Sequence, residues 1–346
     1  MNQEEYTRNY PEQSMYDESS VVVKDESVGI RKDIKRAGLF FFLLMILEIP
    51  VAVVIGVVQL KFPSEKGTLI SVVMTQAYLL LAALIYILVS GKSFTMDLNV
   101  KKYKLSSFFL SLLVLICASP MATWLNVFSQ FFAKNETSKA IFEITENVPA
   151  WLAVLIIGCL PGFVEETIYR GILYSAFRKY SVLAGAIISA ACFGLMHLNF
   201  NQMLYAIYLG LIFAFLVEAT GSLASTMILH MLFNAVNTCY LFVLPALLEY
   251  LNKMGVEQAD LNIEELLSKT PTASELLSSL QLLTPIAVIG MFFTILLIRK
   301  IAEINGRELS WNYICEKHQE AQDVKPISVW LILGWVFCLV FSIINL

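Results

Sequence analysis

The chain has 346 residues, 58% of them hydrophobic and only 15% charged, with a mean hydropathy of +0.70 and a net charge of −4. A soluble domain is roughly 25% charged, so an ordinary soluble enzyme, a disordered chain and a disulfide-rich secreted domain are excluded. A nucleic-acid binder is excluded too, because no basic field exists to meet phosphate. The six cysteines (Cys117, Cys159, Cys192, Cys239, Cys315, Cys338) contain no CxxC pair and predict neither a zinc knuckle nor a disulfide framework.

Residues 1–36 carry eight acidic and six basic side chains and no apolar signal-peptide core. They predict a charged cytoplasmic tail, disordered to about Lys24. The apolar residues then gather into nine blocks, each near the roughly 20 residues that span a bilayer. These blocks are 37–60, 68–90, 106–133, 150–176, 181–198, 202–219, 222–246, 281–298 and 327–345. They predict an all-α fold, a polytopic transmembrane helical bundle of eight or nine spans. Residues 37–133 supply its N-terminal helices, 150–246 a catalytic core and 281–346 its C-terminal helices. No period-2 alternation supports a barrel, and Phe40–Phe42 read as lipid-facing surface. Between the seventh and eighth spans lies an acidic loop, 247–280. There Ile263, Leu266 and Leu267 predict an amphipathic helix, and Thr272 with Glu275 a capping box. Arg31, Lys32, Lys35 and Arg36 abut the first span and predict a cytoplasmic N-terminus. The span count then puts Lys92, Lys101, Lys102, Lys104, Arg178, Lys179, Arg299, Lys300 and Arg307 on that same side.

Ionisable groups within a bilayer cost roughly 2.5–3.5 kcal/mol each on insertion scales, so each calls for an explanation. Most fall in the fourth to seventh spans: Glu165, Glu166, Arg170, His197 and His230. His318, the remaining histidine, lies in a polar loop and reads as a solvated residue. Glu48 and Glu218 read as structural or interfacial. Glu166 and Arg170 stand four apart on one helix face and can pair. Glu165 points about 100° away, without that partner. A carboxylate held in an apolar site is suited to general acid–base work. His230 and Asn234 also share a face, so the amide can orient a water or an oxyanion beside the imidazole. Counted at about 1.5 Å per residue from the turn near residue 180, Glu165 and His197 lie about 22–26 Å deep, and His230 lies about 14 Å past the next turn on that side. Three neighbouring helices can thus bring one carboxylate and two imidazoles to one region. Such a set could bind zinc with an open position for water. Equally, the carboxylate could act as base while the histidines and Asn234 polarise a carbonyl. Either chemistry is hydrolysis by an activated water. Neither HExxH nor GxSxG occurs.

These residues form a recognisable pattern. Glu165-Glu166-Thr-Ile-Tyr-Arg170 reads EExxxR, Phe193-Gly-Leu-Met-His197 reads FxxxH, and His230-Met-Leu-Phe-Asn234 reads HxxxN. In this order and at these intervals the chain resembles the CPBP family of intramembrane proteases, also called the Abi or type II CAAX prenyl protease family, over about residues 150–240. The resemblance implies a hydrolase, a CPBP-type metalloendopeptidase working at or in the membrane. Glu165 would activate water, and His197, His230 and Asn234 would complete the site. Glu166 and Arg170 would support it. If a metal such as zinc or another divalent ion is bound, Glu165, His197 and His230 would be its ligands. The implied partners are membrane lipid and a peptide or protein substrate, lipidated or bacteriocin-like. Eukaryotic relatives trim three residues from prenylated CAAX proteins, and many bacterial relatives are linked to bacteriocin immunity. The expected location is a bacterial plasma membrane, multi-pass. The charged N-terminal tail and the long 247–280 loop depart from a minimal family member.

Two other function classes compete. A proton-coupled transporter would also use Glu165, His197 and His230 as a relay, but would show repeats or matching broken helices in two halves. A non-catalytic membrane scaffold would have no need of the whole set.

Overall fold

Long apolar runs cannot leave backbone polar groups unpaired in hydrocarbon, so they fold as helix. The computed structural model describes residues 18–62, 64–91, 100–254 and 269–344, and among the described residues there is helix and loop but no strand. In chain order the helices are α1 (Glu18–Ile46), α2 (Glu48–Gln59), α3 (Ser64–Ser90), α4 (Leu105–Ser129), α5 (Glu136–Asn147), α6 (Ala150–Phe177), α7 (Val182–Leu195), α8 (Phe200–Thr220), α9 (Leu223–Lys253), α10 (Ala273–Ile304), α11 (Trp311–Cys315) and α12 (Val329–Ile344). Among the described residues, seven helical stretches are long and apolar enough to cross a membrane, α1 and α2 counting as one stretch. Leu81, Val89, Ile116, Phe292 and Val336 stay exposed, as side chains facing lipid do.

Several expectations are corrected. The 181–198 span is a helix of only 14 residues, α7, and the last span, α12, has 16. Both fall short of the roughly 20 residues of a full crossing. The Ser181 side chain caps the start of α7. Its end is set by Leu198 at φ 49, after which Asn199 caps α8. The tail is helical from Glu18, and residues 1–17 lie outside the described residues. Ile34 and Ala37 are buried, so packing holds the charged segment in helical form. The first span breaks at Leu47, and Pro50 sits in the first turn of α2, where its missing N–H costs nothing. Phe40 and Phe41 do not face lipid. Phe41 is buried against Gly334 of α12, and Phe40 packs on Tyr86 with ring centroids 4.7 Å apart. The 247–280 loop is helical at both described ends, 247–253 and 273–280. Thr272 and Glu275 form both halves of the capping box. The amphipathic helix at Ile263, Leu266 and Leu267 lies outside the described residues.

The basic loops meet at one end of the bundle. Lys179 pairs with Asp33 at 2.5 Å, Arg31 donates to the Asp323 carbonyl at 3.1 Å, Ser222 bonds the Lys101 carbonyl and Lys104 the Ile304 carbonyl. Glu218 sits there buried, accepting from Tyr174, Arg178, Arg307 and Tyr313. The chain therefore leaves this end along α1, α4, α7, α9 and α12, and returns to it along α3, α6, α8 and α10. The described cations that the span count put on one side, Lys101, Lys102, Lys104, Arg178, Lys179, Arg299, Lys300 and Arg307, do share one end, and Lys92 lies outside the described residues.

Candidate active site

The helix that carries Glu165 and Glu166 is irregular for a readable reason. Within α6, two π-helical stretches, Val154–Cys159 and Thr167–Tyr174, flank a short α-helical piece, Leu160–Glu166. Pro161 is the second residue of that piece. It lacks an N–H and its ring crowds the preceding turn, and a wide turn before it relieves both. Gly158 and Gly162, four apart, let α9 come close. A Cβ on Gly162 would lie 2.7 Å from the Met231 nitrogen, and one on Gly158 would lie 3.2 Å from Ala235 Cα. Small residues at this spacing allow two membrane helices to touch backbone to backbone. The pairing of 158 with 235 and 162 with 231 makes α6 and α9 antiparallel. One further turn along, Glu166 meets His230.

The result is a buried polar chain. Arg170 pairs with Glu166 Oε1 at 2.8 Å, and His230 Nδ1–H donates to the same oxygen at 3.0 Å. His230 Nε2 faces Glu165 Oε2 at 3.7 Å. Glu166 and Arg170 are buried, while Glu165 and His230 keep 7% and 5% of their surface. The Glu166 carboxylate can only accept, so it fixes which His230 nitrogen carries the hydrogen. The i,i+4 pair expected with Arg170 is present, and Glu166 also orients the imidazole. Glu165 is not without a partner, as the sequence had suggested: Gln76 Nε2 of α3 donates to its Oε1 at 3.3 Å.

Phe193 stands at the centre of the remaining groups. Its ring lies 5.3 Å from His197 and 5.6 Å from His230, both edge-on, and the Arg170 guanidinium lies 4.4 Å from its centroid. Phe213 covers the other side of Arg170 and His230. Such faces stabilise a desolvated cation. His197 lies in the turn after α7, half-buried, and its Nδ1–H donates to the Phe193 carbonyl at 2.9 Å. Its Nε2 is thereby left as an acceptor, within electrostatic reach of Glu165 and His230. The neighbouring Leu198 is the one non-glycine with positive φ among the described residues, a strained conformation of the kind that gathers at functional sites. Asn234 lies one turn after His230, half-buried, and makes no side-chain hydrogen bond among the described residues.

The donor set expected for a metal does not close around one ion. Among the described residues no three His, Cys, Asp or Glu side chains form such a cluster. His230 turns both nitrogens to carboxylates, and His197 commits Nδ1 to a carbonyl. Sequence reasoning also missed Gln76 and the part played by Phe213. Gln76 is neutral and so escaped a search for ionisable groups, although a glutamine amid the apolar 68–90 run was a readable signal.

Residues 147–236, which contain all three motifs, match a family model described as type II CAAX prenyl endopeptidase, Rce1-like. Over this segment the chain is similar to the type II CAAX prenyl endopeptidases. The Bacillus subtilis (strain 168) protein named "Putative membrane peptidase YdiL" is 26% identical over 102 residues. Those residues are 29% of this chain and 41% of that protein, so the match spans less than half of the relative's length. No solved structure matches the chain. The matched segment holds Glu165, Glu166, Arg170, His197, His230 and Asn234. Gln76 comes to the same place from outside it.

Proposed function

We propose that the chain is an intramembrane endopeptidase that hydrolyses a peptide bond of a membrane-associated peptide or protein, with Glu165 as the base for an attacking water. The observation that carries this reading is the buried chain Arg170–Glu166–His230–Glu165 across α6 and α9. An uncompensated arrangement of this kind would be costly in apolar surroundings, and here each charge is answered by a neighbour.

In this reading Glu165 Oε2 takes a proton from water while the water oxygen attacks the peptide carbonyl carbon. The oxyanion that forms accepts a hydrogen bond from the Asn234 amide, and one from His230 Nε2 once the proton taken by Glu165 has passed to that nitrogen. His197 Nε2 is a second acceptor that can relay the proton. When the tetrahedral species collapses, the C–N bond breaks and the proton goes to the leaving nitrogen. A new carboxylate and a free amine result. Each step uses the chain's own residues, and none passes through a metal. A lipidated or amphipathic peptide fits, because the site lies in a bundle whose outer surface is apolar.

The test is cleavage by the purified full chain in lipid vesicles. Two fluorescence-quenched probes serve: a farnesylated peptide ending in a CAAX sequence, and an unlipidated amphipathic peptide of equal length. The wild type cleaves at least one of them. Glu165→Gln and His230→Ala remain folded by circular dichroism and lose about 100-fold or more in rate, the usual scale for removing a general base or an oxyanion donor. Wild-type cleavage by Glu165→Gln would remove Glu165 from the site, and proton-driven uptake without cleavage would replace the peptidase with a transporter.

A further inference from the structure

We propose that Gln76 is a third-helix member of the catalytic site: its amide NH2 pins one oxygen of Glu165, and its amide oxygen accepts from the water that Glu165 activates. This rests on the glutamate-activated-water reading above.

Gln76 lies on α3, outside the segment 147–236 that matches the protease family. It is 7% exposed, with its Nε2 3.3 Å from Glu165 Oε1. An ionised carboxylate only accepts, so the NH2 end of the amide must face it. The other end is then fixed as well: Oε1 is buried and has no hydrogen-bond partner among the described residues. A buried amide oxygen left open is an acceptor waiting for a donor.

The two oxygens of Glu165 are divided in the same way. Oε1 is held by Gln76, and Oε2 is turned to His230 Nε2 at 3.7 Å. A water poised for attack has two hydrogens. One passes to Glu165 Oε2. The second needs an acceptor that keeps a lone pair of the water aimed at the carbonyl carbon, and Gln76 Oε1 is a buried acceptor with that capacity. Two acceptors from two helices fix the orientation of the water as well as its position. A plain helix-to-helix link between α3 and α6 would explain the NH2 contact but leave the open oxygen unexplained.

The experiment uses the full chain in vesicles with the farnesylated and unlipidated quenched peptides. Gln76→Met keeps the length and removes both hydrogen-bonding ends. Gln76→Glu keeps the shape and sets a second carboxylate against Glu165; it stands in if the methionine variant does not fold. Tyr78→Phe is the packing control, since it removes the α3 hydrogen bond from the Tyr78 hydroxyl to the Leu44 carbonyl. The expected result is a fall in kcat of about 10- to 100-fold in both Gln76 variants, with KM within about two-fold and a melting temperature no lower than that of Tyr78→Phe, whose kcat is unchanged. Wild-type kcat in Gln76→Met, or equal kcat losses in Gln76→Met and Tyr78→Phe, would overturn the proposal. Glu165→Gln is run alongside. If it is inactive while Gln76→Met is normal, only the role of Gln76 falls; if it is itself active, the glutamate-base reading falls.

Discussion

Gly162→Ala adds one methyl group where α6 and α9 touch. An ideal Cβ at that position lies 2.7 Å from the Met231 backbone nitrogen, 2.8 Å from its Cγ and 3.0 Å from its Cα. Carbon atoms in contact prefer roughly 3.5–4.0 Å, so α9 must retreat by about 0.7–1 Å. The Cγ could swing away, but the backbone atoms cannot. His230 is the adjacent residue, and its Nδ1 stands 3.0 Å from Glu166 Oε1. The same retreat opens that contact to about 3.7–4 Å, beyond a hydrogen bond. Overpacking of this kind costs about 1–3 kcal/mol of stability. A 1 Å displacement of a catalytic group costs about 100-fold in rate. The assay is initial cleavage rate in vesicles beside a thermal melt in detergent, with Gly56→Ala as control, because none of the described residues lies within 4 Å of a Cβ built there. The control should match wild type in both. Gly162→Ala with an unchanged rate and an unchanged melt would refute the claim that backbone contact between α6 and α9 sets the site.

Arg170→Met leaves the fully buried Glu166 without its guanidinium, and should cost about 3–5 kcal/mol, read as a large drop in the detergent melting temperature. Glu218→Gln weakens the knot of Arg178, Arg307, Tyr174 and Tyr313 at the basic end of the bundle. Its two guanidinium partners keep contact with solvent, so about 1–3 kcal/mol is expected, with kcat unchanged. Thr272→Ala removes the capping box of α10. It should cost about 1 kcal/mol and raise hydrogen exchange in the first turn of that helix without altering cleavage.

Much of the bundle was legible because hydrocarbon admits few alternatives to helix, and the apolar blocks announced themselves. The i,i+4 spacings of Glu166 with Arg170 and of His230 with Asn234 likewise placed each pair on one face. What the sequence could not convey was how helices meet. Counting residues put His230 about 8 Å shallower than Glu165, yet the two stand 3.7 Å apart. The wide π turns of α6 rise less per residue, and tilt takes up the remainder. Phe41 read as lipid surface because nothing local indicated that Gly334, almost three hundred residues away, would leave room for its ring. Gln76 escaped for the opposite reason: its significance comes entirely from Glu165, on another helix.

The central claim is that Glu165 activates a water and does not itself attack the peptide. A single turnover in heavy-oxygen water, with enzyme in excess over the quenched peptide and mass spectrometry of both, tests it most directly. One heavy oxygen is expected in the new C-terminal carboxylate of the peptide and none in the enzyme. Heavy oxygen in the Glu165 carboxylate would mean a covalent acyl intermediate and would contradict it.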